Sequence, residues 1–158
     1  MIALDRASET AAHWSEERYQ DLFRAGSEAV QALVLVAEDP PDKHSEPGPQ
    51  SERSLYKNIL GFLVARHLAP EWELENIVVA PAACRRALGR QFIEWLLNEA
   101  RRAQSESVFL EVRESNTAAR ALYEATGFQQ VGRRKSYYSA PSEDAIVYRS
   151  NLRPVTSD

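Results

Sequence analysis

Two strand-like runs, "WELENIVVAP" at 72–81 and "SVFLEVR" at 107–113, are joined by a stretch whose apolar residues recur with a helical period. Leu88, Phe92, Ile93, Leu96, Leu97 and Ala100 fall on one face of a helix running from about Arg85 to Ala103. Strands connected through a helix pair in parallel, because the crossover returns the chain to the same end of the sheet. That unit limits the chain to a mixed α/β architecture.

The rest of the sequence adds elements around this unit. "SETAAHWSEERYQDLFRAG" predicts a helix from 8 to 26, with Ser8 as its N-cap and Gly26 as its stop. Strands are expected at 29–38 and 58–68, and antiparallel ones at 128–138 and 145–152. Asn116 and Gly127 bracket a short helix at 116–126. Residues 39–54 hold four prolines, one glycine and no large apolar residue, which predicts a flexible loop. At 158 residues with no internal repeat, the chain is expected to form one domain over 1–158.

Composition excludes several classes of function. No stretch approaches the ~20 apolar residues of a membrane span, so no membrane role is expected. The lone Cys84 cannot form an intramolecular disulfide, which with the absence of a signal-peptide pattern points to the cytoplasm. His13, His44 and His67 show no ligand spacing, so no metal is expected. A net charge of -4 argues against direct nucleic-acid binding.

In the strand at 107–113, Val108, Leu110 and Val112 share one face, and Phe109, Glu111 and Arg113 the other. A carboxylate at the centre of a sheet either meets a cation, for which Arg113 is available, or serves a cleft. On the following helix Leu122 is the expected core residue, leaving the Tyr123 hydroxyl to point back over the sheet. The start of the 85–103 helix, with Arg85, Arg86 and Arg90, is either an anion site or a solvated basic face.

Taken together, "NIVVAP", "RRALGR", "LEVRESN" and "ALYEATGF", followed by "RKSYY" and "EDAI", resemble the GNAT superfamily of N-acetyltransferases. Within it the likeness is greatest to the RimI family, which acetylates the N-terminal alanine of a small-subunit ribosomal protein. It is strong over 72–152 and thin before that, although "HWSE" at 13–16 also matches. The resemblance implies an α/β (α+β) GNAT fold: a mixed central sheet, splayed parallel strands at its centre and flanking helices. It implies acetyl-CoA as co-substrate and a protein N-terminus as acceptor, handled by a monomer or weak dimer. Glu111 corresponds to the general base and Tyr123 to the general acid. Ile77, Val78 and Val79 match the strand that pairs with the pantetheine arm. Arg85, Arg86, Ala87, Leu88, Gly89 and Arg90 match the pyrophosphate loop, and Asn116 a cofactor contact. Trp14 and Tyr138 match the walls of the acceptor groove, and packing at the edge of the core would explain both aromatics equally well.

Three departures qualify the likeness. Cys84 and Ala87 stand where the family carries a long polar residue and a glycine. Ala87 costs roughly 1–2 kcal/mol if its φ is positive, and its place at a helix start predicts a helical backbone instead. The chain opens in a helix where the family has a strand, so the first edge strand is expected to be missing. The Pro-rich insertion at 39–54 is the third. Acetylation of a lysine or a small amine, or a degenerate acyl-CoA sensor, are the alternatives to N-terminal acetylation.

Overall fold

The computed structural model describes residues 1–8, 13–23, 31–38, 59–84, 86–139 and 141–152. Gly26, Arg85 and the expected loop at 39–54 lie outside the described residues. Six strands form one sheet in the order β1-β2-β3-β4-β6-β5. They are β1 (Gln31–Glu38), β2 (Ile59–Leu68), β3 (Glu71–Val79), β4 (Ser107–Arg113), β5 (Gln129–Ser139) and β6 (Ser142–Asn151). Among the described residues only β3 and β4 are parallel, and the other four neighbouring pairs are antiparallel.

Helices α1 (Ile2–Ala7) and α2 (Glu16–Asp21) precede the sheet, while α3 (Leu88–Arg102) makes the β3–β4 crossover and α4 (Thr117–Ala125) follows β4. Among the described residues of the span expected to be one helix, 8–26, the only helix is α2, and His13–Ser15 ahead of it are not helical. Ser8 closes α1 rather than opening a helix, and Ser15 is the cap of α2, accepting from the Arg18 N–H at 3.2 Å. The interruption has a buried cause. Asp5 is fully buried and its carboxylate accepts the backbone N–H groups of His13 (3.3 Å) and Trp14 (3.0 Å), fixing that segment in a non-helical path. Asn76 of β3 donates to the same Asp5 (3.4 Å) and to the Tyr19 hydroxyl (3.2 Å), fastening the pair of helices to the sheet.

The sheet is packed on both faces. On one, Phe92, Ile93, Leu96 and Leu97 of α3 meet Leu74, Val108, Leu110, Ile146 and Tyr148; on the other, Tyr19 packs with Phe62, Val64 and Val78. A bulge in β3 makes this two-sided arrangement possible. Val64 pairs with Asn76 and Ala65 with Leu74, so Glu75 is left over. The extra residue reverses the facing of everything after it: Trp72 and Leu74 lie on the α3 face before the bulge, Ile77 and Val79 after it, whereas Asn76 and Val78 turn to the α2 face. Gly61 sits beside this stretch, where a Cβ would come within 2.6 Å of the Val78 carbonyl oxygen.

Candidate active site

The bulge also ends the parallel ladder. β3 and β4 pair only from Glu71–Ser107 to Leu74–Leu110, although both strands continue. Residues 75–79 and 111–113 therefore edge a cleft at the carboxyl ends of the parallel strands, the usual ligand position in sheets of this kind. Glu111 is the first β4 residue beyond the last pair, with a side chain 13% exposed.

Glu111 does not pair with Arg113. Its Oε1 meets Arg134 Nε at 2.9 Å, and the Tyr137 hydroxyl hydrogen-bonds to it. Arg113 turns to Glu143 instead, donating at 3.1 Å, and lies 4.1 Å over the ring of Tyr138. Competition explains the difference: β4 and β6 place Arg113 opposite Ala145, within reach of the Glu143 carboxylate two residues away. Tyr137 and Tyr138 contact each other edge to face, with centroids 5.1 Å apart.

Tyr123, rather than Leu122, is the buried residue of α4, at 5% exposure, packed between Phe128 and Tyr148. Burial first, and then the nearby Tyr138, push its hydroxyl pKa well above the ordinary tyrosine range, so it stays protonated throughout the physiological range. Tyr138 is pushed up to about 12, chiefly by burial. Tyr137 thus joins Glu111 on one side and Tyr138 on the other.

A further carboxylate belongs to this neighbourhood. Glu73 is raised above its ordinary pKa by burial and by the negative charges of Glu75 and Glu111. Glu75 is held by Arg66 at 3.0 Å and Arg18 at 3.4 Å. Arg18 in turn lies 4.1 Å over the ring of Trp14, which packs 5.4 Å from Tyr19. Trp14 is therefore tied to the acidic face through one arginine.

The segment between β3 and α3 departs from expectation. Pro81–Ala83 form one 3-10 turn, and α3 begins at Leu88, three residues later than the sequence suggests. Ala87 precedes it with φ 58 and ψ 14, the left-handed conformation, instead of the helical backbone expected. The left-handed conformation comes at a cost to any side chain with a Cβ. Arg86 is exposed, Leu88 and Gly89 are half-buried, and a Cβ at Gly89 would touch Leu122 of α4 at 3.0 Å. Arg90 pairs with Glu94 (3.4 Å) on the solvent side of α3, so this cation is shared with its own helix. Asn116 caps α4 as expected, accepting from the Ala119 N–H at 3.1 Å. Cys84 is exposed at the end of the 3-10 turn.

A family model described as the acetyltransferase (GNAT) family matches residues 7–128. The chain belongs to the GNAT family. Its mixed α/β fold, with an open sheet and flanking helices, is that of the family. The chain is 38% identical over 108 residues to the [ribosomal protein bS18]-alanine N-acetyltransferase of Salmonella typhimurium, covering 63% of this chain and 73% of that one. It spans 64% of the equally described protein of Haemophilus ducreyi and 60% of that of Escherichia coli, at 34% and 40% identity over 93 and 88 residues (57% and 54% of this chain). The solved ribosomal-protein-S18-alanine N-acetyltransferase of E. coli superposes with a TM-score of 0.71 at 26% identity, over 99% of this chain and 88% of that chain. A Bacillus anthracis structure titled as a putative streptothricin acetyltransferase in complex with acetyl coenzyme A shares the fold (TM-score 0.56, 24% identity, 62% of this chain and 58% of that one).

Several residues of the cleft were not singled out from sequence. Arg134 and Tyr137 lie inside the "RKSYY" stretch, but strand alternation gives no reason for both to reach Glu111. Glu143 and Asp144 belong to "EDAI", which was noted without a role. Among the described residues no group of three or more His, Cys, Asp or Glu could hold a metal ion, and no helix is long and apolar enough to cross a membrane.

Proposed function

We propose that this chain is an acetyl-CoA-dependent N-acetyltransferase whose acceptor is the N-terminal alanine of a ribosomal protein. The observation carrying the reading is Glu111: a largely buried carboxylate at the point where the parallel strands β3 and β4 part, faced by Arg134 and Tyr137. The similarity to curated alanine N-acetyltransferases supports the acceptor.

In this reading acetyl-CoA lies along Ile77, Val78 and Val79, where β3 has lost its β4 partner and its backbone is available for pairing. Its pyrophosphate meets the segment Arg85, Arg86, Ala87, Leu88, Gly89 and Arg90, with Asn116 at the neighbouring helix start. Arg86 and the first turn of α3 suit an anion there, and Ala87 is the poorest fit. The acceptor arrives as an α-ammonium with a pKa of about 8, so Glu111 has a modest proton to remove, directly or through water. The freed nitrogen lone pair attacks the thioester carbonyl carbon, backbone N–H groups near Val79 stabilise the negative oxygen, and the carbon–sulfur bond breaks. Tyr123, held neutral, gives its proton to the departing thiolate and is reprotonated, directly or through water, by the second proton that the acylated nitrogen loses, while Glu111 releases the first to solvent. Trp14 and Tyr138 wall the acceptor groove. The protein acts in the cytoplasm as a monomer or weak dimer, without a metal or nucleic-acid contact.

The test is acetyl-CoA-dependent mass gain on two basic peptides, one with a free N-terminal alanine and one blocked at its N-terminus but containing lysine. One acetyl group on the alanine peptide alone is the expected result; gain on the lysine peptide would replace the acceptor class. Glu111→Gln should lower turnover by about 100-fold or more with acetyl-CoA binding unchanged. A variant as fast as wild type across pH 6–9 would remove Glu111 from the role. The strained Ala87 favours one second reading, a chain that holds acyl-CoA only as a sensor; binding without transfer to any amine would select it.

A further inference from the structure

The β5–β6 ladder shifts register at two places, between Gln130 and Gly132 and between Arg134 and Tyr138, and the second faces the cleft. Arg134 pairs with Ala145 and Tyr138 with Glu143, so Lys135, Ser136 and Tyr137 stand opposite the single residue Asp144. Ser136 adopts a positive φ of 50, which a residue with a Cβ does not adopt without support. The support is the Asp144 carboxylate. Its Oδ1 accepts the Ser136 N–H at 2.8 Å and its Oδ2 accepts from Arg133 Nε at 2.6 Å. Both bonds, the backbone one first, hold its pKa below the ordinary aspartate value, as expected for an ionised acceptor.

The bulge decides what β5 presents to the cleft. In a regular strand, residues three apart point to opposite faces. Here Arg134 and Tyr137, three apart, both reach Glu111, and Tyr138 comes to lie under Arg113. We infer that Asp144 is a positioning residue of the acceptor site: by holding the Ser136 amide it fixes the three-residue bulge that sets Tyr137 against Glu111 and Tyr138 against Arg113. This rests on the proposed reading of that wall as the acceptor groove. It gives the "EDAI" stretch a function. Glu143 does a parallel task at the other end of the cleft, accepting the Ser115 N–H at 2.5 Å and Arg113 at 3.1 Å, which ties down the turn that leads into α4.

The inference separates Asp144→Ala, which loses both bonds, from Asp144→Asn, which keeps an oxygen for the Ser136 N–H. Arg133→Met, which removes the exposed ion pairs of Arg133 with Asp144 and Glu114 and leaves the Ser136 bond, is the control. Asp144→Ala should raise KM for the alanine peptide by about 10-fold or more, the scale of one hydrogen bond to a charged acceptor, with the affinity for acetyl-CoA unchanged. Amide hydrogen exchange at residues 134–138 should accelerate by a similar factor. Asp144→Asn and Arg133→Met should stay within about 3-fold of wild type on both readouts, since exposed ion pairs contribute little. Wild-type KM and exchange in Asp144→Ala, or an Asp144→Asn as impaired as Asp144→Ala, would overturn the inference. If wild type acetylates neither peptide, the acceptor reading fails, and the exchange comparison still decides whether Asp144 holds the bulge.

Discussion

Ala87 shows how one side chain sets a local cost. Its φ of 58 places a Cβ against the following carbonyl, a strain of about 1–2 kcal/mol that glycine does not feel. Ala87→Gly should therefore raise the unfolding free energy by about 1 kcal/mol after the extra freedom of glycine in the unfolded chain is subtracted, measurable by urea titration. Tyr123 carries the opposite kind of information. Its burial makes the phenol a donor that does not ionise in the working range. Tyr123→Phe should keep the fold, because the ring packing on Phe128 and Tyr148 is retained, and lower turnover by about 10-fold or more. Equal rates would mean that the thiolate leaves unaided. The wild-type rate should show no alkaline fall from Tyr123 up to pH 9.

At the scale of elements, the β3 bulge and the β5 bulge do related work on either side of the cleft. The first turns Ile77 and Val79 toward α3 and ends the pairing with β4; the second brings two residues of β5 onto one carboxylate. The β2–β3 pair must approach closely where the first bulge has passed, and Gly61 is the residue that permits it. Gly61→Ala would set a methyl group 2.6 Å from the Val78 carbonyl oxygen and 3.0 Å from the Phe92 ring. Strand separation there should cost about 2 kcal/mol or more and weaken acetyl-CoA binding, readable as a lower thermal midpoint and a higher Kd. The two bulges also mark where reading the sequence falters. Strand positions and the α3 face follow from period, but a bulge is a one- or three-residue change of period with no composition of its own. Glu75 and Ser136 are therefore ordinary letters until the partner strand is known.

Across the whole molecule, charge is arranged unevenly over the sheet. The face that carries Glu111 also carries Glu73 and Glu75, and the cations available there serve Glu75 and Glu111. Glu73 is left with a raised pKa, so between its ordinary value near 4.5 and its folded value the native state binds more protons than the unfolded chain. Stability therefore falls as pH rises through that window and stays lower above it. Glu73→Gln should remove this loss, leaving the variant more stable than wild type at pH 7 and no more stable below the ordinary value, read as thermal midpoints at the two pH values. No difference between the two pH extremes in thermal midpoints would show that Glu73 is not coupled to its neighbours.

The parallel crossover, the buried face of α3, the caps at Asn116 and Gly127 and the placement of Glu111 within β4 were all determined by the sequence itself. Each follows from a period or from a local hydrogen bond between residues close in the chain. Tertiary structure alone decided which cation answers Glu111, that Ala87 is left-handed, that Tyr123 rather than Leu122 is buried, and that Asp5 holds His13 and Trp14 out of the expected helix. Those outcomes depend on partners far apart in sequence: Arg134 to Glu111, Asn76 to Asp5, Asp144 to Ser136. Periodicity sets which way a side chain faces, but only the register of one strand on another sets what it meets there.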